Sequence, residues 1–182
     1  MLKIRRAGIA DSAGIAQVQV TNYQVSYAEL FAKHYLDDFT VEEQNRDWQD
    51  LFTKQPSEVV FVADLDGKIV GYALARAESR EMPGYDSELV AFHVLPEYQK
   101  RGIGSRLFLE TARHLQATGC CSLMLWTLKQ NPVRHFYAAL GGELRGHQEY
   151  GIDADRMTEV AYGWSQLETL IESLERKIKS GV

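Results

Sequence analysis

The sequence predicts a mixed α/β fold, and three observations carry that expectation. Short runs rich in valine and aromatic residues recur along the chain, stretches with apolar residues at helical spacing stand between them, and capping or turn residues mark the joints. At 182 residues, 45% of them hydrophobic, the chain is about one domain long and able to bury a full core without disulfide staples. A single domain spanning 1–182 is expected.

Residues 3–7 read as a first strand. Asp11 stands where an N-cap belongs, ahead of a helix carrying Ile15, Val18 and Tyr23. Thr40 and Glu43 have capping-box spacing, and Val41, Trp48, Leu51 and Phe52 follow at helical intervals, so a helix is predicted over 41–54. Glu58 to Asp64 and Ile69 to Ala77 flank the turn signal Asp66-Gly67 and spell an antiparallel hairpin, followed by a loop from Glu78 to Asp86.

A strand over Glu88 to Val94 leads through a proline turn into a helix with Leu107, Phe108, Ala112 and Leu115 on one stripe, ending at Gly119. A buried strand is predicted over Ser122 to Leu128. Asn131-Pro132 then opens a helix whose stripe is Val133, Phe136, Tyr137 and Leu140, ended by Gly141-Gly142. Two more strands, Glu143 to Tyr150 and Met157 to Trp164, surround a turn at Gly151 to Asp155. Ser165 and Glu168 have the spacing of a second capping box, opening a last helix over 165–180 with Leu167, Leu170, Ile171, Leu174 and Ile178 on one face. That stripe needs a partner, either the sheet or a second copy of the chain as a homodimer.

A formal charge of −5 argues against a broad nucleic-acid surface and suits a cationic substrate. The only cysteines, Cys120 and Cys121, are adjacent, a poor staple and a poor metal site, which points to a reducing cytoplasm. No metal is expected, since none of His34, His93, His114, His135 and His147 forms a ligand spacing. The start Met-Leu-Lys-Ile-Arg-Arg lacks a signal-peptide core, no run approaches the ~20 apolar residues of a membrane span, and no membrane association is expected.

The most informative segment is 87–109, an apolar strand, a proline turn, a basic glycine-containing loop and an amphipathic helix. A helix start leaves about four N–H groups without intrahelical partners and carries about half a positive charge, so this order is an anion-binding device. A Walker loop would need an earlier glycine and a Lys-Ser/Thr pair, and a dinucleotide fingerprint a third glycine where Leu107 stands. What fits is Gln99-x-x-Gly102-x-Gly104 after Val94-Leu95-Pro96, which resembles the acetyl-CoA pyrophosphate loop of the GNAT N-acetyltransferase superfamily. Asn131 to Gly142, with Phe136-Tyr137 and then Leu140-Gly141, is similar to a second motif of that superfamily. It departs in its Asn-to-Tyr interval, one residue shorter than in many members, and in Gly142, where a Phe is usual.

The resemblance covers about residues 1–164 and implies a mixed, mostly antiparallel sheet of about seven strands flanked by helices, with the last helix an addition to that core. It further implies acetyl-CoA as co-substrate and no metal. The pyrophosphate would meet the amides of Lys100, Arg101, Gly102, Ile103, Gly104 and Ser105, with Gln99 fixing the loop. The acyl group would face the backbone at His93 and Val94, the Val94 N–H stabilising the developing oxyanion. Tyr137 would serve as general acid to the departing thiolate, with Asn131 a further coenzyme contact or simply a helix cap. Glu88 matches a position where many members carry the base for the amine, with Asp86 and Tyr72 as substitutes.

The acceptor pocket would draw on 22–39 and 78–86, where Tyr23, Tyr27, Tyr35 and Glu29 offer ring faces and a carboxylate to a cationic amine. The expected function is transfer of an acetyl group from acetyl-CoA to a primary amine of a small molecule. A protein or peptide acceptor, and a CoA-binding regulatory module without catalysis, stand as alternatives.

Overall fold

In a computed structural model, residues 1–26, 36, 38–55, 57–79, 82–152 and 155–180 are described. Among these residues there are seven strands, β1 Leu2–Arg6, β2 Glu58–Leu65, β3 Lys68–Arg76, β4 Glu88–Val94, β5 Leu123–Leu128, β6 Glu143–Ile152 and β7 Asp155–Trp164. The helices whose full spans are described are α1 Ser12–Ser26, α2 Val41–Lys54, α3 Ile103–Ala117, α4 Arg134–Ala139 and α5 Leu167–Lys179. One sheet runs β1-β2-β3-β4-β5-β7-β6, with every neighbouring pair antiparallel except β4 and β5. The mixed, mostly antiparallel seven-stranded sheet expected from the sequence is therefore the one observed.

Local chemistry explains most boundaries. Asp66 and Gly67 both have positive φ, 52° and 88°, the pattern of the two-residue turn that matches strand twist, and the Gly67 N–H donates to Asp64 Oδ1 at 2.8 Å. Thr40 Oγ1 accepts from the Glu43 N–H at 3.3 Å and starts α2 as expected. Two other caps are corrected. Asp11 ends a short 3-10 turn, where its carboxylate takes the Gly8 N–H at 2.9 Å and two hydrogen bonds from Arg5, so it ties β1 to the turn and does not cap α1. The capping box of Ser165 and Glu168 does not form: α5 begins after Gln166 with no side-chain cap, and the Leu167 N–H instead donates to the Cys121 carbonyl at 2.7 Å.

Both faces of the sheet are covered. On one, Ile15 and Val18 of α1 and Trp48 of α2 pack on Val60, Val62, Tyr72 and Leu74. On the other, Leu107, Phe108 and Leu115 of α3 meet Phe61, Ala73, Leu89, Leu125, Tyr162 and Trp164. Leu167, Leu170, Ile171 and Leu174 join this second core, so the α5 stripe is satisfied within the chain itself. Burying each such side chain contributes about 1.5–3 kcal/mol.

The sheet is interrupted at its centre. β4 pairs with β5 only at Glu88, opposite Met124, where the Met124 N–H donates to the Ser87 carbonyl at 3.1 Å and Ser87 Oγ to the Ser122 carbonyl at 2.5 Å. Two residues further on, the register with β3 steps from Ala75 opposite Leu89 to Leu74 opposite Ala91, leaving Val90 as an extra residue. Such a bulge bends and twists its strand. Beyond it β4 runs unpaired on its β5 side and a gap opens.

Candidate active site

The Leu95 N–H donates to the Val70 carbonyl of β3 at 2.9 Å. Because successive residues of an antiparallel strand point their backbone groups to opposite sides, Val94 turns its N–H and C=O away from β3, toward the gap. The Val94 carbonyl accepts from Gln99 Nε2 at 2.9 Å, which fastens the following loop to the strand end. Gly71 lies opposite Val94 with so little room that a Cβ there would come within 2.8 Å of the His93 carbonyl oxygen.

After a 3-10 turn at Pro96–Tyr98 the chain reverses through Lys100 (φ 57°) and Gly102 (φ 74°), both left-handed. The Gly102 carbonyl accepts the first bond of α3, from the Arg106 N–H at 3.1 Å, so the amides of Ile103, Gly104 and Ser105 precede any intrahelical acceptor. The side chains of Ile103 and Ser105 are buried beneath the loop, leaving those amides as its polar face. Gly102 has open space around its Cα, and its glycine answers to φ; at Gly104 a Cβ would make only ordinary contact, 3.4 Å from the Phe92 ring. The Arg101 guanidinium sits over the Tyr98 ring at 5.5 Å, and Lys100 is exposed.

Tyr137 is 4% exposed and packs among Phe92, Phe108, Phe136, Tyr162 and Trp164, with centroid distances of 5.7–6.5 Å. It thus stands on the α3 face of the gap, between Phe92 of β4 and Tyr162 of β7. Asn131 Oδ1 accepts the Val133 N–H at 3.1 Å, and α4 starts only at Arg134, after a turn rather than at Pro132. The cap role expected of Asn131 is thus present in a shifted form.

On the α1 face of the gap, His93 lies 5.3 Å from the Tyr72 ring and 5.9 Å from Tyr23, which stacks on Phe39 at 4.6 Å. Desolvation pushes the His93 imidazole down to about 4, so it is neutral at physiological pH. Tyr27, Tyr35 and Glu29 lie outside the described residues. The sequence profile of the Acetyltransferase (GNAT) family matches residues 27–141 of this chain.

The chain belongs to the GNAT acetyltransferase family.

Its relatives agree. It is similar to the uncharacterized N-acetyltransferase YuaI of Bacillus subtilis (strain 168), 33% identical over 97% of this chain and all of that protein. It is 21% identical to the spermidine N(1)-acetyltransferase of Thermoplasma acidophilum over 72% of this chain and 81% of that one. Among solved structures, the PaiA N-acetyltransferase of T. acidophilum in complex with coenzyme A superimposes with a TM-score of 0.63 at 18% identity, covering 88% of this chain and 98% of the other. The protein is an N-acetyltransferase.

The base expected in this GNAT enzyme meets a different environment. Glu88 is buried at the closed root of the gap, where its Oε2 accepts from Arg76 Nε at 3.1 Å and Nη2 at 2.8 Å, and Arg76 Nη1 also lies 3.6 Å from Glu58. Asp86 is engaged too. Burial pulls its carboxyl upward, but hydrogen bonds from the Cys121 N–H, the Ser122 N–H and Ser122 Oγ outweigh it and leave the group below the usual carboxylate range. Tyr72 is fully buried, edge-on to Trp48 at 5.1 Å.

Sequence reasoning missed Phe92, which backs both Gly104 and Tyr137, and Tyr85, whose phenol lies where a side chain at Gly163 would be. Only the alternation of β4 could have pointed to the first; nothing local pointed to the second. Among the described residues no cluster of three metal-ligating side chains occurs, and no helix is long and apolar enough to cross a membrane.

Proposed function

We propose that this GNAT enzyme transfers an acetyl group from acetyl-CoA to the primary amine of a small molecule, directly and without an acyl-enzyme. The observation that carries the reading is the unpaired gap between β4 and β5, with the Val94 N–H turned into it and a helix start at its mouth. Acetyl-CoA supplies an activated acyl thioester, and a pantetheine-like arm fits beside β4 as an added strand would. The unpartnered amides of Ile103, Gly104 and Ser105, with those of Lys100 to Gly102, suit a pyrophosphate.

The chain's own groups then divide the barrier. Holding thioester and amine in one gap removes the cost of their encounter, worth up to several kcal/mol. Val94 donates its N–H to the carbonyl oxygen as charge builds there, a contribution of a few kcal/mol. Tyr137 gives its phenolic proton to the departing sulfur, and the proton that the attacking amine loses passes to solvent, from which the tyrosinate is reprotonated. We assign Glu88 to fastening β3 and β4 through Arg76, because its carboxylate is already engaged at the root of the gap. The aromatic wall of Tyr23, Phe39, Tyr72 and His93 favours a small amine over an extended peptide, and likeness to a spermidine acetyltransferase supports the same reading.

The test is thiol release from acetyl-CoA over a panel of polyamines, amino acids, aminoglycosides and peptides, with calorimetry for coenzyme binding. Binding plus turnover of a small amine is expected. If coenzyme A fails to bind, the reading is lost; turnover of peptides alone moves the acceptor to proteins.

A further inference from the structure

The transfer leaves one proton without a carrier, the one that the attacking nitrogen loses on its way to solvent. A nitrogen that has added to a thioester carbonyl stays positively charged until that proton goes, and until then the adduct readily falls back to amine and thioester. Among the described residues, the carboxylates at the root of the gap are committed elsewhere, Glu88 to Arg76 and Asp86 to the amides of Cys121 and Ser122 and the Ser122 hydroxyl. Another group has to take the proton.

His93 is placed for it. The residue directly precedes Val94, whose N–H turns into the gap, and its ring leaves β4 on the α1 face, where it meets Tyr72 and Tyr23. Tyr137 stands on the α3 face, behind Phe92. One strand therefore separates a nitrogen base from a phenolic acid, so the two can serve an incoming nitrogen and a departing sulfur without neutralising each other.

The ring is held but not closed off. Tyr72 of β3 and Tyr23 of α1 fix it at centroid distances of 5.3 and 5.9 Å, and Ala91, the preceding residue on that face of β4, carries only a methyl group. Neither ring nitrogen makes a hydrogen bond among the described residues, yet neither is sealed from solvent, the side chain being half-buried. Desolvation holds the imidazole at about 4, so the ring is neutral when an amine arrives and readily gives a captured proton up to water.

We infer that His93 is the catalytic base for the acceptor amine, its unprotonated ring nitrogen taking the N–H proton as the new carbon–nitrogen bond forms and handing it to water. The amine N–H bond breaks as an imidazole N–H bond forms, and the sulfur leaves with the proton of Tyr137. One proton thus passes to water through His93, and one returns from water to Tyr137. The inference rests on the N-acetyltransfer reading above and supplies its proton acceptor.

The experiment measures thiol release by the full chain at saturating acetyl-CoA, with whichever of spermidine, putrescine and the common amino acids is turned over fastest. His93→Gln should lower kcat about a hundredfold while the KM for acetyl-CoA stays within twofold. His93→Ala opens space beside the gap and should regain rate with added imidazole, more with 4-methylimidazole and less with the weakly basic 4-fluoroimidazole. A ring that merely lined the pocket would show no such order. Coenzyme A binding in calorimetry certifies the fold of each variant, and either variant alone decides. A kcat within threefold of the parent in His93→Gln, or no rescue that follows basicity in His93→Ala, overturns the assignment. A parent protein that binds no coenzyme A or turns over no amine removes the transfer reading itself, and the two failures are thereby told apart.

Discussion

On the donor side of the gap, the groups proposed to meet the coenzyme are main-chain amides, those of Val94 and of Ile103 to Ser105, set by one strand end and one helix start. On the proposed acceptor side they are side chains, Tyr23 and His93, drawn from α1 and β4. Main-chain donors are fixed by backbone geometry and survive most substitutions, whereas each side-chain contact is lost with a single change. A coenzyme common to a whole family suits the first construction, and an acceptor particular to one protein suits the second.

Substitutions can break each half separately. The largest effect should come at the root where the halves join. Arg76→Ala would strand Glu58 and Glu88 as buried carboxylates, with an expected loss of about 3–5 kcal/mol in chemical denaturation. Lowering pH should expose the acceptor half. His93 is held near 4 in the folded protein by desolvation against an ordinary value near 6.5, so the unfolded chain takes up its proton first. Stability is full above pH 6.5 and falls between 6.5 and 4, by up to about 3 kcal/mol, and His93→Gln should flatten that slope in urea titrations at stepped pH.

The chemistry itself is tested by Tyr137→Phe, expected to lower kcat about a hundredfold with little change in the KM for acetyl-CoA; a retained rate would remove the general acid and leave the fold untouched. The donor half should respond most gently to Gly71→Ala. Its Cβ would press on the His93 carbonyl, shift the Val94 amide and weaken acetyl-CoA about tenfold by calorimetry, with a smaller effect on the amine KM.

The same division governs what the sequence makes readable. Elements set by neighbours along the chain were legible: the Asp66-Gly67 hairpin, the Thr40 cap, the reversal at Gly102 and the stripe of α5 all lie where local pattern puts them. Asp11 and Ser165 looked like caps because their residue types favour that role, but tertiary partners, Arg5 in one case and the Cys121 carbonyl in the other, decided otherwise. The gap depends on a bulge at Val90 and on a single pairing between Glu88 and Met124, far apart in sequence, so no local signal announces it. Glu88 was visible as an acidic strand residue, but its ion pair arises only from the β3–β4 register that sets it beside Arg76. The proposed acceptor wall is the hardest to read, since Tyr23 and His93 meet only when α1 folds against β4.

The strand order carries a consequence for biosynthesis. β7 is made after every other strand yet sits between β5 and β6, so the edge of β5 has no neighbour until Trp164 has been added. An open edge of that kind is a template for unwanted pairing with other chains. Nascent chains ending anywhere between β5 and β7 should therefore be the species most dependent on chaperones. The sheet closes late, when β7 pairs with β5 on one side and carries the edge strand β6 on the other.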